Sequence, residues 1–266
     1  MSCERILAEN LILDSGATQT VSSEESNFPA SNLIDFQRRT RKLRFTGCSS
    51  EWVKWDFLSA TNPDAIVIIG ERNGSIQISP MATITLQGNE TDVWTGPSYE
   101  QTLTWDEFAI IHASDGGLHT EGLRFWRLLI ADPLNPLGYI EINKVYLGYS
   151  YSSSRGAVQF PFADRHIDTS VIKVSDGGQY YARKKQQSMG FRLVWNALTV
   201  TEKERLQSFF ESLGTNSAFF VQLDKGTVFS STENKYTRYV RFESPPIFNL
   251  SSPGNFGASM AITEVL

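Results

Sequence analysis

The chain has 266 residues, 41% hydrophobic and 20% charged, with 24 Lys and Arg against 29 Asp and Glu. This is the balance of an ordinary folded protein with room for two cores, and a net charge of −5 argues against a nucleic-acid binder, which needs a basic face. No stretch approaches a membrane span, and Met1-Ser2-Cys3-Glu4-Arg5 leads only into a short apolar run broken by Glu9 and Asn10, so the expectation is a chain without a signal peptide, made in a cytoplasm.

From Asn10 to about Gly148 the sequence reads as short strands separated by turn chemistry. Strands are expected at 51–57, 65–70, 75–79, 82–87, 108–112, 123–130 and 139–147. Between them stand Asn62-Pro63-Asp64, Asn73-Gly74, Gly88-Asn89, Gly96-Pro97, Asp115-Gly116-Gly117 and Asp132-Pro133. Strands at this spacing without helical pattern between them indicate a β-sandwich or jelly roll. The one helical candidate is a turn or two at 29–35. Tyr149 to Gly156 is polar, flexible and aperiodic, and reads as a linker, so the expected domains are 1–150 and 151–266.

The second half opens with a hairpin, 170–174 and 179–182, around Ser175-Asp176-Gly177-Gly178. A basic, polar run follows, Arg183-Lys184-Lys185-Gln186-Gln187. Phe191, Leu193 and Trp195 then alternate with Arg192, Val194 and Asn196, the period of a half-buried strand. Thr199 precedes Glu202 by three and Thr201 precedes Glu204 by three, so either pair can form a capping box. Leu206, Phe209, Phe210 and Leu213 make one apolar stripe on a helix over about 200–213, and Gly214 ends it. Strands at 218–223 and 236–243, a turn-rich passage from 245 to 257 and a last strand at 258–266 complete the chain.

Catalytic motifs are missing: there is no Gly-x-Ser-x-Gly elbow, Cys-x-x-Cys, His-Glu-x-x-His or phosphate-cradling glycine loop. His112 and His119 bracket a turn, with only Asp115 and Glu121 nearby as further ligands, and we expect no metal and no cofactor. Glu24-Glu25 and Asp106-Glu107 are adjacent carboxylates, which point apart on a strand. The reading is therefore not an enzyme, although carboxylates distant in sequence could still meet in the fold. The strongest charge cluster is Arg38-Arg39-Thr40-Arg41-Lys42-Leu43-Arg44. It can grip an anion or an acidic surface, or stand as a solvated loop neutralised by neighbours. Of six tryptophans, Trp52, Trp126 and Trp195 lie in alternating strands and read as core, whereas Trp94 and Trp105 lie near turns and read as surface. Arg38, Arg39, Arg41 and Trp94 make up a candidate ligand loop. For Arg183, Lys184, Lys185, Gln186 and Gln187 we expect a role as a subunit interface or channel lining, on a polar strand pair without an apolar face.

Two family resemblances follow from these residues. The segments 29–35, 41–45, 50–57, 89–94, 124–128 and 140–148 resemble, in order, a discoidin-type (F5/8 type C) galactose-binding-like jelly roll. Asp35 is followed by Phe36-Gln37-Arg38 where members often carry a calcium loop. The segments 189–195, 198–210, 219–224 and 259–265 are similar to the tail-tube-like domain of phage distal-tail and minor tail proteins, a β-barrel or sandwich with one packed α-helix. Together they imply a mainly β protein of a phage virion. Its C-terminal domain would form a trimeric or hexameric ring around the tail axis, touching tail tube, hub and fibre proteins, with the jelly roll outward. The alternative is a lectin-like protein that contacts host surface glycan through loops near 38–44 and Trp94.

Overall fold

A computed structural model describes residues 5–14, 16–35, 40–70, 77–103, 105, 109–114, 116–153, 163–168, 170–185, 187–223 and 237–265. Among these, the chain divides into two compact units, one holding Ile6–Tyr151 and the other built mainly from residues 152–223 and 238–265.

The first unit begins with β1 (Arg5–Asn10), a single helical turn α1 (Leu11–Asp14) and β2 (Thr18–Val21). A 3-10 turn at Ala30–Ile34 follows, then β3 (Leu43–Arg44), β4 (Glu51–Thr61), β5 (Ala65–Ile69), β6 (Thr83–Asn89) and β7 (Tyr99–Leu103). β8 (Ala109–Ala113), β9 (Leu123–Ala131), β10 (Glu141–Ile142) and β11 (Lys144–Tyr151) complete it. The strands form two antiparallel layers, β2-β4-β9-β6-β7 and β1-β11-β5-β8, with β3 and β10 as a short separate pair. The layers share one core: Val53, Trp55, Phe57, Trp126, Leu128 and Ile130 from the first layer meet Ile66, Ile68, Val145 and Leu147 from the second. This is a β-sandwich jelly roll.

Alternation explains the first layer. In β4 the inward Val53, Trp55 and Phe57 are buried, while Trp52, Lys54 and Asp56 face out. The expected core tryptophan of this strand is thus corrected: Trp55, not Trp52, fills the interior, because the strand's phase is set by its register on Trp126 of β9. Trp105, expected at the surface, packs against the core. The expected linker is corrected at its start, since Tyr149, Ser150 and Tyr151 continue β11 and pair with Glu9, Leu7 and Ile6 of β1. Their backbone groups find ladder partners that composition does not reveal. Residues 77–79 of the expected strand 75–79 form no strand; Ser79 instead donates its backbone N–H to Asp132 Oδ2.

The second unit contains β12 (Ala163–Ile167), β13 (Val171–Val174), β14 (Tyr180–Arg183) and β15 (Ser188–Leu198). After them come α2 (Val200–Leu213), β16 (Ala218–Gln222), β17 (Thr237–Phe242), β18 (Ile247–Ser252) and β19 (Asn255–Glu264). Its sheet runs β12-β15-β19-β17-β16, with β18 also paired to β19. Where a β-barrel or sandwich with one packed helix was expected, an open sheet with the packed helix α2 is found, and no closed barrel forms among the described residues. β18 is a strand inside the passage expected to be turn-rich, because Ile247 to Leu250 finds its partners in Phe256 to Ser259.

Of the two candidate capping boxes, Thr199 with Glu202 is the one that forms. The Thr199 hydroxyl accepts from the Glu202 N–H, and the Glu202 carboxylate accepts from the Thr199 N–H at 2.8 Å. α2 lies on β15 and β19 with Leu206 and Phe209 buried. Phe210 meets Phe242 edge-on at 5.3 Å, and Phe242 in turn packs at 4.7 Å against Phe219. Phe191, Leu193 and Trp195 are buried on one face of β15, as their spacing predicts. Gly214, at φ 57, ends the helix in the left-handed region.

Candidate functional site

Three surfaces carry the residues singled out by sequence. The first is the segment from Asn32 to Arg44. Arg38 and Arg39 lie outside the described residues. Arg41 is exposed and pairs with Asp35 at 3.3 Å. Lys42 and Arg44 are not free cations: both bind the buried Glu141 of β10, each at 2.6 Å. Arg44 also reaches Glu25 and lies against two rings, Phe28 at 4.1 Å and Tyr139 at 4.4 Å. The β3–β10 pairing, Arg44 opposite Glu141, is what brings these charges together. Beside them the fully buried Lys144 donates from Nζ to the carbonyl oxygens of Asn32, Arg41 and Asn143, at 2.8, 2.7 and 3.0 Å. Burial pushes the Lys144 ammonium down to about 8, although nearby Asp35 opposes the shift. The described part of the basic run is therefore internally neutralised. Glu141 and Lys144 were missed by sequence reasoning; the signal available was two charges three residues apart among the apolar Ile140, Ile142, Val145 and Leu147.

The second surface is the outward face of the β2-β4-β9-β6-β7 layer. Register places Lys54, Arg127, Gln87 and Glu100 in one row across four strands. Arg127 donates from Nε and Nη2 to Gln87 Oε1, and Gln87 donates to Glu100 at 2.6 Å. The loop after β6 folds back over this row. Trp94, half-buried, stands with its ring 4.3 Å from the Arg127 guanidinium carbon. Its indole N–H donates to Asp92, whose carboxylate is held by Lys54 and so kept below the usual carboxylate range. Trp52 and Phe125, also half-buried, flank the row on the same face. Thus Trp94 is presented as expected for a surface residue, on a floor of planar and charged side chains.

Of the candidate ligand residues, Arg41 and Trp94 are described, and they stand in different loops. β4 and β6 both run antiparallel to β9, so their starts lie beside Ala131 and the 41–50 segment enters there. The Trp94 loop leaves from the opposite end and reaches back only to Arg127, about 13 Å away along β9 at roughly 3.3 Å per residue. Arg41 and Trp94 belong to different places.

The third surface is the β13–β14 hairpin. Its register is Val171 with Arg183, Ile172 with Ala182, Lys173 with Tyr181 and Val174 with Tyr180. Cross-strand partners share a face, so one face is Ile172, Val174, Tyr180 and Ala182. The expectation of a polar strand pair lacking an apolar face is corrected: the bulk of one whole face is apolar, because the basic residues cluster at the base of β14 and on the opposite face. All eight strand residues are exposed. Arg183, Lys184 and Lys185 are exposed; Lys185 N–H donates to Ser170, and Gln187 donates to Asp168. Gln186 lies outside the described residues.

His112 and His119 each stand against Tyr99: His112 Nε2 is 3.2 Å from its hydroxyl, and the His119 ring is edge-on at 6.2 Å. Among the described residues no group of three His, Cys, Asp or Glu side chains could hold a metal ion. Glu24 accepts the Ala30 N–H and Glu25 binds Arg44, so both are occupied locally. No helix of the described residues is long and apolar enough to cross a membrane.

No protein-family model and no curated protein matches the chain. Among solved structures it is similar to a Streptococcus pneumoniae fucose binding module, SpX-3, at 14% identity and TM-score 0.40, over 52% of this chain and 96% of that one. It is also similar to the lectin domain of lectinolysin complexed with Lewis B antigen, at 10% identity and TM-score 0.42, over 54% of this chain and 98% of that one. A third is the family 32 carbohydrate-binding module of Clostridium perfringens NanJ in complex with galactose, at 14% identity and TM-score 0.39, over 56% of this chain and 99% of that one. The assignment of the jelly roll rests on the strand order and register given above.

Proposed function

We propose that the first unit is a non-catalytic carbohydrate-binding domain that takes glycan on its outward sheet face. The observation that carries this is the half-buried Trp94 standing on the row Lys54, Arg127, Gln87 and Glu100. Sugar rings are recognised by an aromatic face for their C–H edges beside planar polar groups for their hydroxyls. A sheet supplies such a row without loop reorganisation. The ligand class accords with the fucose, Lewis B and galactose named for the similar modules. The test is a glycan array with the purified chain, followed by calorimetry on any hit. Saturable binding that Trp94→Ala abolishes is the expected result. An empty array, or binding that the substitution leaves intact, overturns the proposal.

A second reading concerns the second unit: a structural subunit that assembles with copies of itself, as in the phage tail proteins its sequence resembles. The observation favouring it is the wholly exposed β13–β14 hairpin. The two readings are compatible, since a tail component can also contact host glycan. Loss of residues 175–188 is expected to leave a folded monomer; unchanged assembly after that deletion would count against the reading.

A further inference from the structure

In the second unit α2 covers one face of the sheet: its Phe210 packs on Phe242, whose strand partner is Ile262. Alternation puts Arg192, Ala261 and Glu243 on the opposite face. There Arg192 stands across from Ala261, and Arg165 across from Gly190. β15 occupies one edge of β19, so β17 and β18 share the other, at 262–264 and 255–259. The link between those two strands contains Pro245 and Pro246, whose fixed φ stiffens it. With Arg165, Arg192, Glu243, Ser259 and Ile247 it encloses a groove of about 360 Å³ over the small Ala261.

Both groove arginines are held in place with donors to spare. Arg192 donates from Nε to Ser259 Oγ at 3.0 Å, which orients its plane and leaves the two Nη groups over. Arg165 lies across Gly190, where an added Cβ would stand 2.7 Å from its Nε, and it pairs with Glu243. Arg241 shares the face, since the cross-strand row runs from Arg165 through Gly190 and Thr263 to Arg241. Among the described residues neither Arg192 nor Arg241 meets a carboxylate. Three guanidinium groups thus stand against the single carboxylate of Glu243, and the face carries an excess of positive charge beside a groove.

We propose that this groove binds an acidic sugar, a pyranose that bears a carboxylate. The match runs group by group. The Nη edge of Arg192 is a planar fork for the carboxylate, with Arg241 and Arg165 adding charge of the same sign. Glu243, fixed by Arg165, accepts hydrogen bonds from ring hydroxyls. Pro245 and Ile247 offer an apolar wall to the C–H face of the ring, and Ala261 leaves it room. The volume lies at the lower end of small-molecule sites, which suits one ring and not a long chain. A neutral sugar would leave the free guanidinium groups unmatched, and a bare inorganic anion would leave the Glu243 acceptor and the apolar wall unused. This site is in the other unit from Trp94 and does not rest on the reading given for that face.

The test is calorimetric titration of the full chain with methyl β-D-glucuronide and with methyl β-D-glucoside, which differ only by a carboxylate in place of a hydroxymethyl group. Saturable binding of the glucuronide is expected, about tenfold or more tighter than that of the glucoside. Arg192→Gln removes the fork, whereas Ala261→Leu fills the floor and leaves every charge in place. Each is expected to weaken the glucuronide by about tenfold or more, with unchanged thermal melts because both side chains stand on the open face. Sodium acetate at the concentration of the glucuronide is expected to displace little of it. No saturable glucuronide binding, equal binding of the two glycosides, or binding that either variant leaves intact overturns the proposal. Full displacement by acetate would make the groove a bare anion site and overturn the sugar class. Binding at the Trp94 face is read by Trp94→Ala and binding here by Arg192→Gln, so the two proposals fail separately.

Discussion

Lys144, fully buried in β11, donates a 2.8 Å hydrogen bond to the carbonyl oxygen of Asn32, 112 residues earlier in the chain. With Arg41 and Asn143 it makes a cage of three main-chain oxygens around one ammonium. The three acceptors are main-chain oxygens, so at this point the segment before β3 is tied to β11 by peptide dipoles around one charge. Replacing Lys144 by Met keeps the stem but leaves three buried acceptors short of a donor. We expect Lys144→Met to cost about 2 kcal/mol, the loss of several such bonds set against relief of the buried charge. Urea denaturation of both proteins checks it.

The same residue sets a pH dependence. Its value in the folded chain is about 8, below the ordinary 10.5 that it regains on unfolding. Between these values the unfolded chain binds more protons. The contribution of Lys144 to stability is therefore flat below about 8 and grows as pH rises from there toward 10.5. The stability difference between wild type and Lys144→Met should rise in that window. A difference independent of pH from 7 to 10 would show that the ammonium is not desolvated as described.

Glu141 accepts from both Lys42 and Arg44 while almost fully buried. Glu141→Ala takes a buried carboxylate from Lys42 and leaves Arg44 with Glu25, and we expect it to cost about 3 kcal/mol. Glu141→Gln, which keeps an acceptor, should lose roughly half of that. Equal losses for the two substitutions would mean that packing, and not charge, is what the position supplies.

Gly148 of β11 pairs with Asn10 of β1, and a Cβ there would collide with the carbonyl oxygen of Glu9. That atom is main chain and cannot swing aside, so Gly148→Ala should destabilise by at least about 3 kcal/mol. Gly257→Ala is the control: its Cβ would meet nothing nearer than 3.5 Å, and the substitution should stay within about 0.5 kcal/mol. Thermal melts of the two variants separate the cases.

The capping box gives a local prediction. Thr199→Ala removes the acceptor for the Glu202 N–H and should cost about 1 kcal/mol. Hydrogen exchange should speed up in the first turn of α2 by roughly fivefold, with the rest of the sheet little changed. Unaltered exchange at Glu202 would place the helix start elsewhere.

Elements with a strict period were legible in advance. The alternation of Phe191, Leu193 and Trp195, the stripe of Leu206 and Phe209, the capping residue Thr199 and the Ser175–Gly178 turn are all found where their spacing predicts. Each depends on neighbours within a few positions, so local chemistry suffices. What failed was of the opposite kind. Tyr149 to Tyr151 has the composition of a linker and becomes a strand, because β1 lies beside it. Trp52 and Trp55 both fit the alternation of β4, and only the pairing with Trp126 says which one enters the core.

The candidate sites divide along the same line. Sequence by itself determined the mainly β character, the capped helix and the presence of cations at 41–44 and 183–185, since period and residue type are local properties. Tertiary structure alone decided what those cations do. Lys42 and Arg44 are spent on Glu141, which arrives about a hundred positions later, whereas Arg183, Lys184 and Lys185 stay exposed at the base of an amphipathic hairpin. It also separated Arg41 from Trp94 and set Trp94 over Arg127. The physical reason is the range of the interactions: hydrogen bonds and ion pairs act over a few ångströms, and which groups come within reach is a property of strand register, not of position along the chain.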